Sequence, residues 1–456
     1  MRNRPPPVPF VLEKGHGGLR ISNLRAFLSG EEMDFFNYRN GKLFVEEVDA
    51  ARIAASAGTP VYVYSRRTIE LHTNRLKEAF APLSPLICYS IKANGNLAIL
   101  KICVENGLGF DIVSRGELYR ALAAGADASK IVYAGVGKTA AEIDQALDAG
   151  ILLFNVESEA ELAAINEIAG GRRRKAKVAL RINPGVDPHT HRHLTTGVLD
   201  SKFGIAADAA VEIARRWRDF PNLDLVGVDM HLGSQITETE PYETAVDRLV
   251  AVMNKLAALG HRIEYFDIGG GFGIFYEGGE AKTAADFAAT ILPRLEGKGA
   301  KLILEPGRFI VGSAGVLLTR VVYVKWQAGK RFVICDAGMN DLMRPVLYDS
   351  YHRIWPVETH VPFTSDESDD APLGDIVGPI CESGDFFAKE RPLPVVKHGQ
   401  LLAIFSAGAY GMTMASNYNA RPRAMEVLVD GSTWRSVRKR ETYEDLIRGE
   451  LDGAGG

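Results

Sequence analysis

Between about Arg67 and Glu305 the chain repeats one pattern: a helical apolar stripe, a turn, then a brief β-branched or aromatic run. The spacing predicts strands over Leu86–Lys92, Gly109–Val113, Ile131–Ala134, Leu152–Val156, Lys177–Asn183, Leu223–His231, Ile263–Ile268 and Lys301–Glu305. Helices are predicted over Ile69–Leu83, Leu97–Glu105, Arg115–Ala124, Thr139–Asp148, Glu157–Ile168, Ala206–Arg216, Pro241–Leu259 and Ala284–Leu295. The clearest of them sets Val246, Leu249, Val250, Met253, Leu256 and Ala257 on one face. Short strands alternating with helices imply a parallel sheet. Eight such units match a closed (β/α)8 barrel of about 250 residues. An open doubly wound sheet is the alternative, but no G-x-G-x-x-G follows the first strand.

The flanks read differently. At 456 residues the chain exceeds one ordinary core, which implies two domains. Asn40-Gly41, between Phe35–Tyr38 and Leu43–Val45, is a two-residue hairpin signal, and Thr59–Ser65 reads as a strand. After Glu305, strands are expected over Val316–Trp326, Arg331–Cys335, Leu401–Phe405 and Ala424–Val429. Thr364–Asp370 reads as a solvated acidic loop. The expected division is a weakly patterned segment 1–30, a β-domain from 31–66 and 306–456, and a barrel from 67–305. The N-terminal strands are expected to join the β-domain.

A net charge of −4 argues against nucleic-acid or membrane-surface partners. No apolar run is long enough to span a membrane, and the proline-rich start lacks the apolar stretch of a signal peptide. The four cysteines form no CxxC pair, which fits a reducing cytoplasm and no disulfide framework or zinc site.

Active sites of such barrels sit at the C-terminal ends of the strands. There the sequence places Lys92, Asp111, Arg181, His231 with Ser234, Gly270 and Gly271, and Glu305 with Gly307 and Arg308. Each alone has a plain structural explanation: a surface lysine, a core histidine, a tight turn. Together they compose a site for pyridoxal 5′-phosphate (PLP). Lys92 is an amine for a carbonyl cofactor, and Gly270 and Gly271 open backbone N–H groups to a phosphate beside Ser234 and Arg308. His231 can stack on a flat ring, and a carboxylate at Glu305 favours a protonated pyridine nitrogen by about 1–3 pK units.

Tyr89-Ser90-Ile91-Lys92-Ala93-Asn94 resembles the lysine motif of the alanine racemase-like, PLP-dependent decarboxylases, and of the diaminopimelate decarboxylase family in particular. The resemblance runs from about Tyr38 to Leu446. It implies a barrel set into a β-domain built from both chain ends, working as a homodimer with shared sites. Racemases of this fold have an arginine where Glu305 stands, so Glu305 speaks for decarboxylation. Cys381-Glu382-Ser383-Gly384-Asp385 is similar to the family's proton-donor motif. That match makes Cys381 the proton donor and Glu382 the holder of the substrate's distal ammonium group. Arg344 and Tyr348 match the segment that binds the distal carboxylate, with Arg308 also at the substrate, and Tyr410 matches a tyrosine shared by phosphate and substrate. The expected reaction converts meso-2,6-diaminopimelate to L-lysine and CO2.

Competing readings are a decarboxylase of the same fold acting on ornithine, lysine, arginine or carboxynorspermidine, and a non-catalytic PLP-binding homologue. Arg344 opposes the first, whose simple members take substrates without a distal carboxylate. Lys92, Cys381 and a β-domain together oppose the second. His189, His191 and His193 resemble a metal run but fall in a polar loop, and no metal site is expected.

Overall fold

The computed structural model describes residues 34–187, 196–197, 201–276, 282–361 and 371–450. Segment 1–30, the His189–His193 run and the acidic loop fall wholly or almost wholly outside them.

Strands β1 (Phe36–Arg39), β2 (Lys42–Val45) and β3 (Val48–Asp49) form a small antiparallel sheet. Its first turn is the expected hairpin, with Asn40 and Gly41 both at positive φ (51° and 78°) and Arg39 paired with Lys42. β4 (Val61–Ser65) follows. The barrel then runs through β5 (Leu86–Ser90), β6 (Gly109–Ile112), β7 (Ile131–Tyr133), β8 (Leu153–Val156) and β9 (Ala176–Asn183). The two-residue β10 (Ile205–Ala206) lies beside β9, outside the ring. The circuit is completed by β11 (Leu223–Asp229), β12 (Tyr265–Asp267) and β13 (Lys301–Leu304). All ring pairings are parallel, and β13 returns to β5 through Ile303↔Leu86 and Leu304↔Ile87, which closes the barrel. Every residue of β5, β6, β7 and β8 is buried, so these strands read as continuous apolar runs without alternation. The helix Arg66–Ala79 precedes β5 and packs against Ala284–Leu295 and the short Arg308–Val311, completing the outer ring. Ser114, Thr139 and Ser158 each accept a backbone N–H at the start of the next helix, which keeps the rim loops short and fixed.

The second large sheet contains β14 (Gly315–Gln327), β15 (Lys330–Cys335), β16 (Ile354–Pro356), β17 (Leu373–Val377), β18 (Phe386–Pro392), β19 (Leu401–Ile404), β20 (Met425–Asp430) and β21 (Thr433–Arg438). Its order is β18-β17-β15-β14-β4-β20-β21, with β19 bonded to β14 and β16. β4 lies between two C-terminal strands, antiparallel to β14 and parallel to β20, so both chain ends build this sheet as expected. β1–β3 depart from the expectation. They keep a sheet of their own, tied on by Leu43 N–H to the Val357 carbonyl and Thr359 N–H to the Gly41 carbonyl (2.8 Å each). Leu43 and Val45 share a core with Val61, Val63, Val316 and Leu318. A larger core runs without a break from the barrel into the second sheet, from Phe110 and Phe154 to Leu317 and Ile354.

Candidate active site

The site begins one turn past β5. That strand ends at Ser90, two residues earlier than expected, and a 3-10 turn over Ile91–Ala93 carries Lys92. Lys92 Nζ donates to Asp111 Oδ2 at 2.6 Å, and Ser90 Oγ reaches the same oxygen at 2.6 Å. Burial works to lower the Lys92 pKa, but the Asp111 and Glu305 carboxyls outweigh it and hold the ammonium above the ordinary lysine range. The other Asp111 oxygen, Oδ1, is buried without a partner among the described residues. Gly307 packs against this turn: a Cβ there would lie 2.9 Å from Ala93 Cβ and 3.0 Å from Ser90 Cβ.

Below Lys92 the strand ends bring Asp229, Asp267 and Glu305 together, with carboxyl oxygens within 4.8 Å of one another and all three residues buried. Burial, then Asp111, Asp267 and Asp229, push the Glu305 carboxyl well above the usual range. Burial pushes Asp267 up to about 6 against the pull of the Gly269 N–H, which donates to its Oδ1 at 2.9 Å. Asn155 bridges the group: its Nδ2 donates to Asp267 Oδ2 at 3.2 Å and Glu305 Oε1 at 3.1 Å. Arg181 Nε stands 3.8 Å from Asp229 Oδ2, and its Nη1 donates to Glu157 Oε1 at 2.6 Å. Glu157 also takes the N–H groups of Gly135 and Gly204. The buried Lys138 links the next two loops through the carbonyls of Gly135 and Asn155 (2.8 Å each) and Glu161 Oε1 (2.6 Å).

His231 lies beyond β11, where its Nδ1 accepts the Gly270 N–H at 3.2 Å. Burial, then Arg181 and Lys92, depress its pKa far below the usual value, so the ring is neutral. The glycine turn after β12 needs its glycines: Gly269 and Gly271 have φ of 68° and 99°, and a Cβ on Gly270 would stand 2.1 Å from the Glu305 carbonyl. Arg308 donates to Ser234 Oγ (Nη2 at 2.9 Å) and to the Tyr276 hydroxyl (Nη1 at 2.7 Å), and lies 4.9 Å from the Tyr410 ring centre. Tyr410, at φ 56°, donates its N–H to the Ala93 carbonyl at 2.8 Å, which pins the C-terminal sheet's loop onto the Lys92 turn. Arg344 opens the short helix that Tyr348 closes, and its guanidinium lies over Tyr276, 4.6 Å from the ring centre. Arg308 is 4% and Arg344 2% exposed. Among the described residues neither guanidinium has a carboxylate partner; hydroxyls, an imidazole and aromatic rings surround them.

The barrel-rim residues singled out from sequence therefore meet in one place, joined by Arg344, Tyr348 and Tyr410. Cys381 and Glu382 do not join them within this chain. Both are exposed; the Cys381 N–H donates to Asn419 Oδ1 at 2.8 Å, and Glu382 raises the pKa of Tyr418 by hydrogen bonding. Sequence reasoning missed Glu157, Asp229 and Asp267, whose signal was a polar residue at the end of an apolar strand, and Asn155, which lies within one. Lys138, Tyr276 and His352 carried no periodic signal.

The site has a charge order. Acids lie at the strand ends, and unneutralised guanidiniums lie in the loops beyond. A neutral imidazole and a lysine amine belong to the same rim. That order fits a planar aromatic aldehyde with a basic ring nitrogen and an anionic substituent, which is the form of PLP.

Comparisons with known proteins agree. Residues 66–312 match the family described as pyridoxal-dependent decarboxylase, pyridoxal binding domain. A diaminopimelate decarboxylase of Pseudomonas aeruginosa is 47% identical over 92% of this chain and 99% of its own. One of Neisseria meningitidis serogroup A is 49% identical over 90% and 99%. The crystal structure of Helicobacter pylori diaminopimelate decarboxylase complexed with L-lysine superposes with a TM-score of 0.83 at 42% identity, over 88% of this chain and 98% of that one. The chain belongs to the pyridoxal-dependent decarboxylases, within the diaminopimelate decarboxylase family, and its cofactor is PLP.

Proposed function

We propose that the protein removes the carboxylate at the D-centre of meso-2,6-diaminopimelate, releasing CO2 and L-lysine, the last step of lysine biosynthesis through diaminopimelate. The observation that carries this reading is the pair of buried guanidiniums, Arg308 and Arg344, without a carboxylate of their own. A buried cation is costly unless an anion meets it. The cofactor's phosphate supplies one for Arg308, and a substrate that keeps a carboxylate away from the reacting centre supplies the other for Arg344.

Bound PLP supplies the electron sink for the pair that departing CO2 leaves behind. The residues have separate tasks. Lys92 is the amine that carries the cofactor, and Asp111 keeps that amine in place. Ser234, Gly270, Gly271 and Gly307 receive the phosphate with Arg308 and Tyr410. His231, neutral, would face the ring without repelling a cationic nitrogen. Glu305 would share its proton with that nitrogen, and Arg181 balances the acids around it. Arg344 and Tyr348 take the distal carboxylate.

We further propose a homodimer in which Cys381 and Glu382 complete the partner's site, as proton donor and holder of the distal ammonium group. Their exposure, and their contacts with Asn419 and Tyr418 away from the rim, support it. Residues 67–305 would then be the cofactor barrel, and 31–66 with 306–456 the domain that reaches across. A cytoplasmic location is consistent with three buried free cysteines and with no described helix being long and apolar enough to cross a membrane.

Arg344→Ala tests the substrate. Removing a charged hydrogen-bonding partner should raise KM for diaminopimelate about tenfold or more, with an unchanged cofactor spectrum. If the wild type decarboxylates ornithine or lysine faster than diaminopimelate, the reading as a simple diamine-forming member replaces this one.

A further inference from the structure

We propose that His352 is the positioning residue of the distal-carboxylate site, an imidazole that aims the Arg344 guanidinium without neutralising it. The inference rests on the diaminopimelate reading above and goes beyond it to the residue that makes Arg344 selective.

His352 is fully buried just before β16. Its Nδ1 lies 2.8 Å from the Phe405 carbonyl, which can only accept, so the ring proton sits on Nδ1. Nε2 then presents a lone pair, and Arg344 Nη1 donates to it at 2.8 Å. Burial, then the Arg344 charge, hold the His352 pKa at about 3, so the ring stays neutral at any pH at which the protein would work. Ser350 Oγ accepts from Nη2 at 3.2 Å. Tyr276 fixes both planes, standing edge-on to the imidazole at 5.3 Å and under the guanidinium at 4.6 Å.

Two features separate this arrangement from ordinary packing. An arginine held for stability is commonly met by a carboxylate, which cancels its charge. Here every partner among the described residues is neutral, and the full positive charge remains for a ligand. Moreover, Arg344 Nε has no partner among the described residues although the side chain is buried. A buried cationic donor left open in this way points to an anion that arrives from outside.

The test uses the PLP-loaded protein and two ligands followed by cofactor absorbance. L-Lysine keeps the distal carboxylate, whereas 1,5-diaminopentane has none. The wild type should prefer L-lysine. His352→Leu keeps the volume but removes the acceptor, and should cut that preference about tenfold while leaving diaminopentane affinity unchanged. His352→Gln restores an acceptor near the Nε2 position and should recover most of the preference. Equal loss for both ligands, or full preference in His352→Leu, would overturn the proposal. If His352→Leu does not fold, a His352→Gln protein indistinguishable from a misfolded or non-selective one overturns it too. A wild type with no preference for L-lysine would remove the diaminopimelate reading itself, a separate and recognisable failure.

Discussion

Glu305 shows why one residue's chemistry depends on its neighbours. A lone carboxylate beside a basic nitrogen would simply be an anion, but here burial and three nearby acids lift its pKa. The carboxyl therefore holds a proton that a basic ring nitrogen can share. Glu305→Gln keeps the shape and loses this exchange, so kcat should fall at least about tenfold while cofactor content, read by absorbance, stays near wild type. Asp267 gives a stability prediction. Its folded pKa of about 6 lies above the unfolded value near 3.8, so the folded state binds the extra proton. Its contribution is fully present below about pH 4 and is lost as pH rises through 6. Asp267→Asn should thus raise the melting temperature of the cofactor-free protein by about 2 °C or more at pH 7.5, and not at pH 4.5. Lys92, His231 and Arg308 were legible in the sequence because each stands at a predicted strand end beside turn residues. Asn155 was hidden inside Leu-Phe-Asn-Val-Glu, where only the assembled barrel shows that its amide faces two carboxyls.

The elements that matter are the rim loops, and they are held by each other more than by solvent-exposed turns. Gly270 lies so close to the Glu305 carbonyl that any side chain must part the loops after β12 and β13. Gly270→Ala should fold with a reduced PLP content, measured after acid release of the cofactor. Lys138 ties two other loops by three bonds from a buried ammonium whose pKa burial lowers. Lys138→Met leaves Glu161 and two carbonyls unmatched, and should cost about 3 kcal/mol in a denaturant titration. The barrel strands were visible from sequence because burial on both faces makes them short apolar runs between helices. β17, β18 and β21 were not: β18 ends Lys-Glu-Arg-Pro, and β21 mixes Trp434 with Arg435 and Arg438 on an edge. β18 and β21 pair with their sequence neighbours β17 and β20, but their charged residues break the alternation that marks a strand.

At the scale of the whole molecule, β4 locks the N-terminal flank into the C-terminal sheet, and Tyr410 presses that sheet onto the Lys92 turn. Cys381 lies exposed between β17 and β18, and the proposed shared site makes it the proton donor of a second copy. Lys92→Ala and Cys381→Ala proteins should each be nearly inactive, and re-associating them should restore about a quarter of wild-type activity per site, since half the dimers are mixed with one intact site each. No recovery, with mixed dimers verified by mass spectrometry, would put both residues in one chain's site. The central claim is the reaction itself, in which a carbon–carboxylate bond breaks and the electron pair left on carbon takes up a proton. The most direct measurement is turnover of meso-2,6-diaminopimelate by the PLP-loaded protein in deuterium oxide. The account predicts one CO2 per L-lysine and a single deuterium on the carbon that lost its carboxylate. Deuterium entering diaminopimelate without CO2 release, or no L-lysine at all, would contradict it.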